Sequence, residues 1–576
     1  MPHGTLRYAT IGAVAPGSGP AALLAALERL GEHVTELRLP LPVAGAEQAR
    51  RLRREVADQL DDYVLPRLRR LDAPLLAVVG GPTGAGKSTL VNSLVGQRVS
   101  ASGVLRPTTR SAVLAYHPGD NDWFEEKRVL PGLSRTTASS TDPTALQLVP
   151  SEGIPAGLAV LDAPDIDSVV TRNRELATQL LAAADMWLFV TTAARYADAV
   201  PCDFLREAVT RGTAVAVVLD RVTPEATEEV RGHLAAMLTE NGLGEAPLFV
   251  VHETAAYDAM LPPDVIDPMR TWLYSIASDS ALRAAVVRHT LDGAVRSLGA
   301  RVFVLAAAAD AQAEATVRLR REVDTAYDGA LELVDVASGD GSLLRGEVLA
   351  RWQEFVGTGE LMRALESKVS RLRDRVTAAA KGKPQPGEPL AEALESGVEA
   401  LVRSAADTAA EQAGAAWAGD PAGAQLLGGD DLRRSSSGLG DATASEIRDW
   451  QSGVVELVRN QGQGKRSTAR YLAFGVNALG LMVMIVVFAH TGGLVGGEVA
   501  VAGGAAALSQ KILEAVLGDQ AVRSLAETAR RDLHARVELL LEGERRRFTD
   551  RLEAVGVHDG SGAALRAAVQ DVEDAR

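Results

Sequence analysis

Aromatic residues make up only 4% of this 576-residue chain, cysteine occurs once, and positive charge is in deficit. Each shortage excludes something. The lone Cys202 rules out internal disulfides and any cysteine-rich zinc site, and it fits a reducing compartment. A net charge of −15 provides no broad basic surface, so nucleic acid is not an expected partner. Few aromatics, with Ala and Leu abundant beyond the first half, favour long helices there. The opening residues, Met1 to Thr10, lack the apolar core of a secretory signal, and the bulk of the chain is expected to stay cytosolic. No His/Cys/Asp cluster has the spacing of a protein-held metal. Length points to roughly two to four domains.

Against these absences stands one dense motif. Leu75 to Val79 is an apolar strand running into Gly81-x-x-x-x-Gly86-Lys87-Ser88. A polyphosphate needs many donors converging without side-chain obstruction. Residues Gly81, Pro82, Thr83, Gly84, Ala85 and Gly86 form a loop whose amides can curl around a phosphate, and a helix opening at Lys87 presents its positive end. Lys87 is expected to bridge the β- and γ-phosphates, Ser88 to ligate Mg²⁺, and Thr89 to continue the nucleotide-binding turn. Mg²⁺ arriving with a nucleoside triphosphate is the one cofactor implied.

Further strand-like runs follow at 111–116, 157–161, 186–191, 213–219 and 247–251, alternating with helical stretches. That pattern predicts an α/β P-loop domain with a mostly parallel sheet over 71–275. An N-terminal segment and amphipathic neck helix (1–70) precede it. A long all-α stalk (280–465) follows, with helical blocks at 281–336, 343–381, 390–417 and 444–460. Residues 511–576 read as a returning helix ending in a frayed tail.

Between Arg470 and Lys511 there is no Lys or Arg. Tyr471 to Ala489 would span about 28 Å as a helix, close to the hydrocarbon thickness of a bilayer. After a His490-Thr-Gly-Gly turn, Leu494 to Leu508 forms a second apolar limb carrying Glu498. Lys465, Arg466 and Arg470 on one side, and Lys511 and Arg523 on the other, place both flanks on the cytoplasmic side. Residues 471–510 are therefore read as a membrane-inserting hairpin, spanning or re-entrant. The competing reading is a buried core helix.

Other site residues are expected from their place between strands. Arg106-Pro-Thr-Thr-Arg110 offers Thr108 and Thr109 as switch hydroxyls closing on Mg²⁺ and the γ-phosphate, without choosing between them. Asp162, ending the strand Leu158-Ala-Val-Leu, is the expected acid linked to Mg²⁺ through water. Asp165 stands where a GTPase usually has Gly, and Ile166 where small GTPases carry the water-orienting Gln, so unaided hydrolysis should be slow. For base recognition, Asp220 and Arg221 sit at the end of the fifth strand, but the Asp that terminates an Asn-Lys-x-Asp guanine motif is missing, with Thr223 in its place. Guanine is favoured and adenine stays open.

The order of P-loop, Arg-Pro-Thr-Thr-Arg, Asp-Ala-Pro-Asp and a hydrophobic hairpin between long helices resembles a bacterial dynamin-like GTPase of the actinobacterial type. The resemblance implies Mg²⁺-dependent GTP hydrolysis stimulated by assembly, homo-oligomers or pairing with a paralogue, and lipid binding or remodelling at the cytoplasmic face of the cell membrane. It assigns Lys87 and Ser88 to phosphate and metal, Thr108 or Thr109 to the switch, and Asp162 to the Mg²⁺ site. Dynamins place Gln and Ser where Thr83 and Gly84 stand here. Two other readings remain: a P-loop ATPase or small-molecule kinase with a helical appendage, and a slow nucleotide-switched membrane scaffold.

Overall fold

The computed structural model describes residues 20–100, 111–126, 129–130, 133–138, 142, 145–166, 171–254, 260–357, 387–428, 432–462, 475–489 and 499–576. These form two compact units that do not follow chain order. The first comprises 1–39, 45–311 and 558–576, and the second 40–44 and 312–557. The helix Ser280–Gly339 contributes residues to both.

The first unit is built on an eight-stranded sheet. In chain order its strands are β1 (Leu75–Gly80), β2 (Ala112–Tyr116), β3 (Ser134–Thr136), β4 (Ala145–Pro150), β5 (Leu158–Asp162), β6 (Met186–Thr192), β7 (Ala214–Val222) and β8 (Leu248–His252). They lie in the order β3-β4-β2-β5-β1-β6-β7-β8, and every pairing is parallel except β2 with β5. β1, β5 and β6 are buried along their whole length because helices cover both faces, which is why they read as unbroken apolar runs. Side chains alternate between two cores: Leu76, Val78, Trp187 and Phe189 belong to one, and Leu75, Ala77, Val79 and Leu188 to the other. The register places Val79 opposite Asp162 and Thr192 opposite Asp220, so the carboxyl ends of β1, β5, β6 and β7 form one rim. In open α/β sheets that rim is where ligands bind.

A helical layer completes this unit. Helices Pro20–Glu36, Ala46–Gln59 and Leu65–Arg69 pack with the start of Ser280–Gly339 and with Ser561–Ala575 around Leu27, Leu30, Val56, Leu60, Val302 and Leu565. One π-helical turn, Leu60–Val64, interrupts the neck helix. The frayed tail expected at the C-terminus is instead this last helix. Leu565, Ala568, Val569 and Val572 fall on its buried face at helical spacing, while Asp571 and Arg566 pair with Arg29 and Asp310.

The second unit is all-helical. Helices Glu347–Gly357, Glu388–Gly419, Leu439–Gly462, Val476–Ala489, Val499–Leu517 and Asp519–Ala554 surround a core anchored by Trp417, Trp450, Tyr327, Phe488 and Phe548. Arg545, Arg546 and Arg547 are absorbed in ion pairs with Asp328, Glu542 and Glu544, as befits the polar face of a helix.

The structure describes part of the hairpin expected at 471–510. The helix Val476–Ala489 is 14 residues long, about 21 Å at 1.5 Å per residue. Residues Leu479 to Phe488 are buried, with the Phe488 ring tilted against Trp450 at 5.6 Å between centroids. Among the described residues no helix is long and apolar enough to cross a membrane. A helix apolar on every side must be buried, but lipid and protein core satisfy it equally, so composition alone does not separate them. Residues 471–474 and 490–498 lie outside the described part.

Candidate functional site

The rim of the first unit gathers most of the residues singled out by sequence. The loop between β1 and the helix Lys87–Val95 turns at Gly81, Gly84 and Gly86, all at positive φ. Two of these glycines pack closely against neighbouring strands. A Cβ on Gly81 would stand 2.1 Å from the Val190 carbonyl oxygen of β6, and one on Gly86 would stand 2.5 Å from the Asp220 carboxylate. The backbone of the loop is therefore pressed against β6 and β7. Pro82 accepts the Ala85 amide in a tight turn, and the helix begins with Leu90 N–H on the Gly86 carbonyl. The Thr89 carbonyl takes the Ser93 hydroxyl one turn later.

Lys87 is buried at the mouth of this loop. Its ammonium donates to the Gly81 carbonyl at 2.9 Å, to the Pro82 carbonyl at 3.0 Å, and to the Asp165 carboxylate. Beside it the Ser88 hydroxyl donates to Asp162 Oδ2 at 2.7 Å, and the Ser100 hydroxyl reaches the same oxygen at 2.5 Å. Asp162 is fully buried, and its other oxygen, Oδ1, has no hydrogen-bond partner. Burial pushes this carboxyl above the usual carboxylate range, against the pull of both hydroxyls and Lys87. A buried acceptor without a donor is costly. A hydroxyl and a carboxylate with a spare oxygen are hard oxygen donors of the kind Mg²⁺ takes while keeping several waters. Ser88 and Asp162 thus fit the metal, and the loop amides fit the phosphates. No group of three or more His, Cys, Asp or Glu able to hold a metal occurs among the described residues.

At the end of β7 the pairing with β8 shifts register between Leu219 and Val222. The bulge leaves Arg221 at φ 58° and turns the Asp220 carboxylate back onto the Arg221 amide at 2.9 Å. Burial raises the Asp220 pKa. Asp220 consequently lies against the phosphate loop at Gly86, while the Arg221 side chain is exposed. Thr108 and Thr109 lie outside the described residues.

Three participants escaped the sequence reading. Ser100 reaches Asp162 because Asn92 grips the backbone of 99 and 100, its side-chain oxygen accepting both amides at 2.9 Å. Arg195, in the loop after β6, donates to the Thr83 carbonyl at 2.9 Å and pairs with Asp198. Asp165 was noted only as a missing glycine, and its pairing with Lys87 had no signal in the spacing. An asparagine inside a short helix and an arginine just past a buried strand are the only hints the chain offers.

Residues 76–222 match the model of the Dynamin family. Over 137 residues the chain is 28% identical to a probable transmembrane GTPase, FZO-like, chloroplastic, of Arabidopsis thaliana. That match spans 24% of this chain and 14% of the plant protein. Among solved structures, a chain of an oligomerised bacterial dynamin pair described as sensing and tethering membranes aligns over 96% of this chain and 94% of its own. The identity there is 10% and the TM-score 0.38. The LeoA bacterial dynamin GTPase from ETEC aligns over 96% of this chain and all of its own, with 10% identity and a TM-score of 0.24.

Proposed function

We propose, from the match of residues 76–222 to the Dynamin family and the geometry of the rim, that the chain binds and hydrolyses GTP with Mg²⁺. The observation that carries this reading is the adjacency of Lys87, Ser88 and the half-satisfied Asp162 at the rim of the sheet. Bound Mg²⁺ supplies charge neutralisation at the phosphates. The chain's own part is to orient and stabilise. Loop amides hold the phosphates, Lys87 offsets developing negative charge, and Ser88 with Asp162 holds the metal's waters in place. Thr108 or Thr109 closes the switch, and Asp220 with Arg221 lies where the base is read. Ile166 offers no group to orient water, so turnover is slow until assembly, with itself or a paralogue, supplies one.

The domains are a neck at 1–70, a GTPase domain at 71–275, a stalk at 280–465, a lipid-directed segment at 471–510 and a returning helix from 511. The site of action is the cytoplasmic face of the cell membrane. Support for the lipid step is the apolar run at 478–489. Two experiments test the whole. Fluorescent GTP and ATP analogues are titrated with Mg²⁺ into the protein and its Lys87→Ala variant. A tenfold guanine preference, about 1.4 kcal/mol, abolished by the substitution, is the expected result. Equal affinities or ATP preference would move an ATPase reading to the front. Flotation with liposomes tests the second half, and indifference to deletion of 471–510 would remove the membrane role.

A further inference from the structure

Lys87 is saturated. An ammonium has three donors, and here two rest on the carbonyls of Gly81 and Pro82 while the third rests on Asp165. The two carbonyls are part of the phosphate loop itself. Asp165 is the anion on this ammonium, placed where the terminal phosphate of a bound triphosphate requires a donor.

Nothing about that placement is loose. The stretch from Asp162 to Ile166 is tied to β1 and to the loop: Ala163 N–H donates to the Val79 carbonyl at 3.2 Å, and Ile166 N–H approaches the Gly81 carbonyl at 3.5 Å. Ala163 and Ile166 are fully buried on either side of Asp165. Gly81 is itself wedged against Val190, so the loop does not retreat from the carboxylate. Asp165 keeps part of its surface in solvent, which gives its side chain a route off Lys87 without unfolding the strand end. A carboxylate presents two oxygens and negative charge, the features by which lysine holds a phosphate.

We propose that Asp165 is a specificity-determining residue that sets the ratio of triphosphate to diphosphate affinity by occupying Lys87 in place of the terminal phosphate. The inference rests on the nucleotide-binding reading of the site. A nucleoside diphosphate brings only its β-phosphate to Lys87 and leaves Asp165 in the place of the γ-phosphate. A triphosphate must displace Asp165 and then tolerate its charge nearby, so the wild-type site is biased toward the diphosphate. A glycine at this position would offer no such competitor.

The test measures equilibrium affinities of full-length protein for GDP and for a non-hydrolysable GTP analogue, with Mg²⁺, in wild type, Asp165→Asn and Asp165→Gly. Thermal unfolding of each variant checks that the fold survives, and the near-isosteric Asn variant covers the case in which Gly does not fold. The expected result is a gain of tenfold or more for the triphosphate in Asp165→Asn, with GDP changed by less than twofold. An unchanged ratio, or equal gains for both nucleotides, would overturn the proposal. Weaker triphosphate binding would overturn it in another way, by making Asp165 a group that helps hold metal or phosphate. Failure of the folded wild type to bind either nucleotide would sink the nucleotide reading itself, and this proposal with it.

Discussion

Arg67, on the neck helix, and Asp185, at the foot of β6, meet at 2.8 Å with both side chains buried. The Asp185 carboxylate also accepts the Leu76 amide of β1 at 2.8 Å and the Tyr63 hydroxyl from the π-turn at 3.3 Å. Its carbonyl takes the Thr290 hydroxyl, which in turn accepts the Ala214 amide of β7. One residue thus ties the neck, two strands and the long helix of the first unit.

Breaking that tie from one side strands a buried charge. Asp185→Ala is expected to destabilise the first unit by about 3–5 kcal/mol. The double variant Arg67→Met/Asp185→Leu should cost clearly less, because neither remaining side chain is charged. Urea unfolding monitored by tryptophan fluorescence, with Trp187 beside the site, reads the difference. A double variant as damaged as Asp185→Ala would show that backbone ties through Asp185, and not the uncompensated Arg67, carry the cost.

The phosphate loop predicts an order of damage between two glycine substitutions. In Gly81→Ala the new methyl meets backbone, the Val190 carbonyl at 2.1 Å, so strand or loop must move. In Gly86→Ala it meets the tip of the Asp220 side chain, which can rotate, although φ of 92° strains the residue too. Nucleotide affinity should fall by more than a hundredfold for Gly81→Ala and by a smaller factor for Gly86→Ala. Titration of both folded variants with labelled GTP decides the order.

Metal dependence should map onto Ser88 and Asp162 separately from Lys87. Ser88→Ala and Asp162→Asn are expected to raise the Mg²⁺ concentration for half-maximal triphosphate binding by tenfold or more, whereas Lys87→Ala weakens binding at every Mg²⁺ level. Chelation with EDTA should cost the wild type more affinity than it costs Ser88→Ala. If chelation weakens wild type, Ser88→Ala and Asp162→Asn equally, these oxygens are not the metal's ligands.

In the second unit Asp420 caps the helix Pro421–Leu427, accepting the Ala422 amide at 2.9 Å, and its Oδ2 accepts from Arg318 Nε and Nη2. Burial alone would raise its pKa, but Arg318 and the cap amides win and hold it below the usual carboxylate value. The sign follows from linkage. The ionised carboxylate is favoured in the folded state, so its contribution is complete above the unfolded pKa, near 3.9, and is lost as pH falls through the lower folded value. Asp420→Ala should cost about 1 kcal/mol at pH 7, with the gap to wild type closing below about pH 4. Calorimetry across that range checks it.

The sheet's middle was open to reading because parallel strands buried on both faces must be apolar throughout, as β1, β5 and β6 are. β3, three residues with polar side chains on an edge, left no such mark. Neither did β4, which follows Thr141-Asp-Pro. The rim positions of Lys87, Ser88, Asp162, Asp220 and Arg221 were legible because strand ends deliver them there at fixed spacing. Ser100, Arg195 and the Asp165–Lys87 pair arrive by loop geometry, which sequence spacing does not encode. Burial of 479–488 was legible too, but not what buries it.

That last ambiguity yields the most direct experiment on the second unit. Phe488 fills the core against Trp450, and a Cβ on Gly480 would lie 2.9 Å from a Val455 methyl. Phe488→Ala should destabilise the unit by about 3–5 kcal/mol, and Gly480→Leu should wedge the helix away from Leu439–Gly462. If the helix has an alternative home in lipid, each change lowers the cost of leaving the core, and liposome flotation should rise while apparent stability without lipid falls. If it belongs to the core alone, the same variants unfold sooner and float no better than wild type. The two outcomes share a stability loss and differ only in flotation, so lipid partition, not melting, is the discriminating measurement.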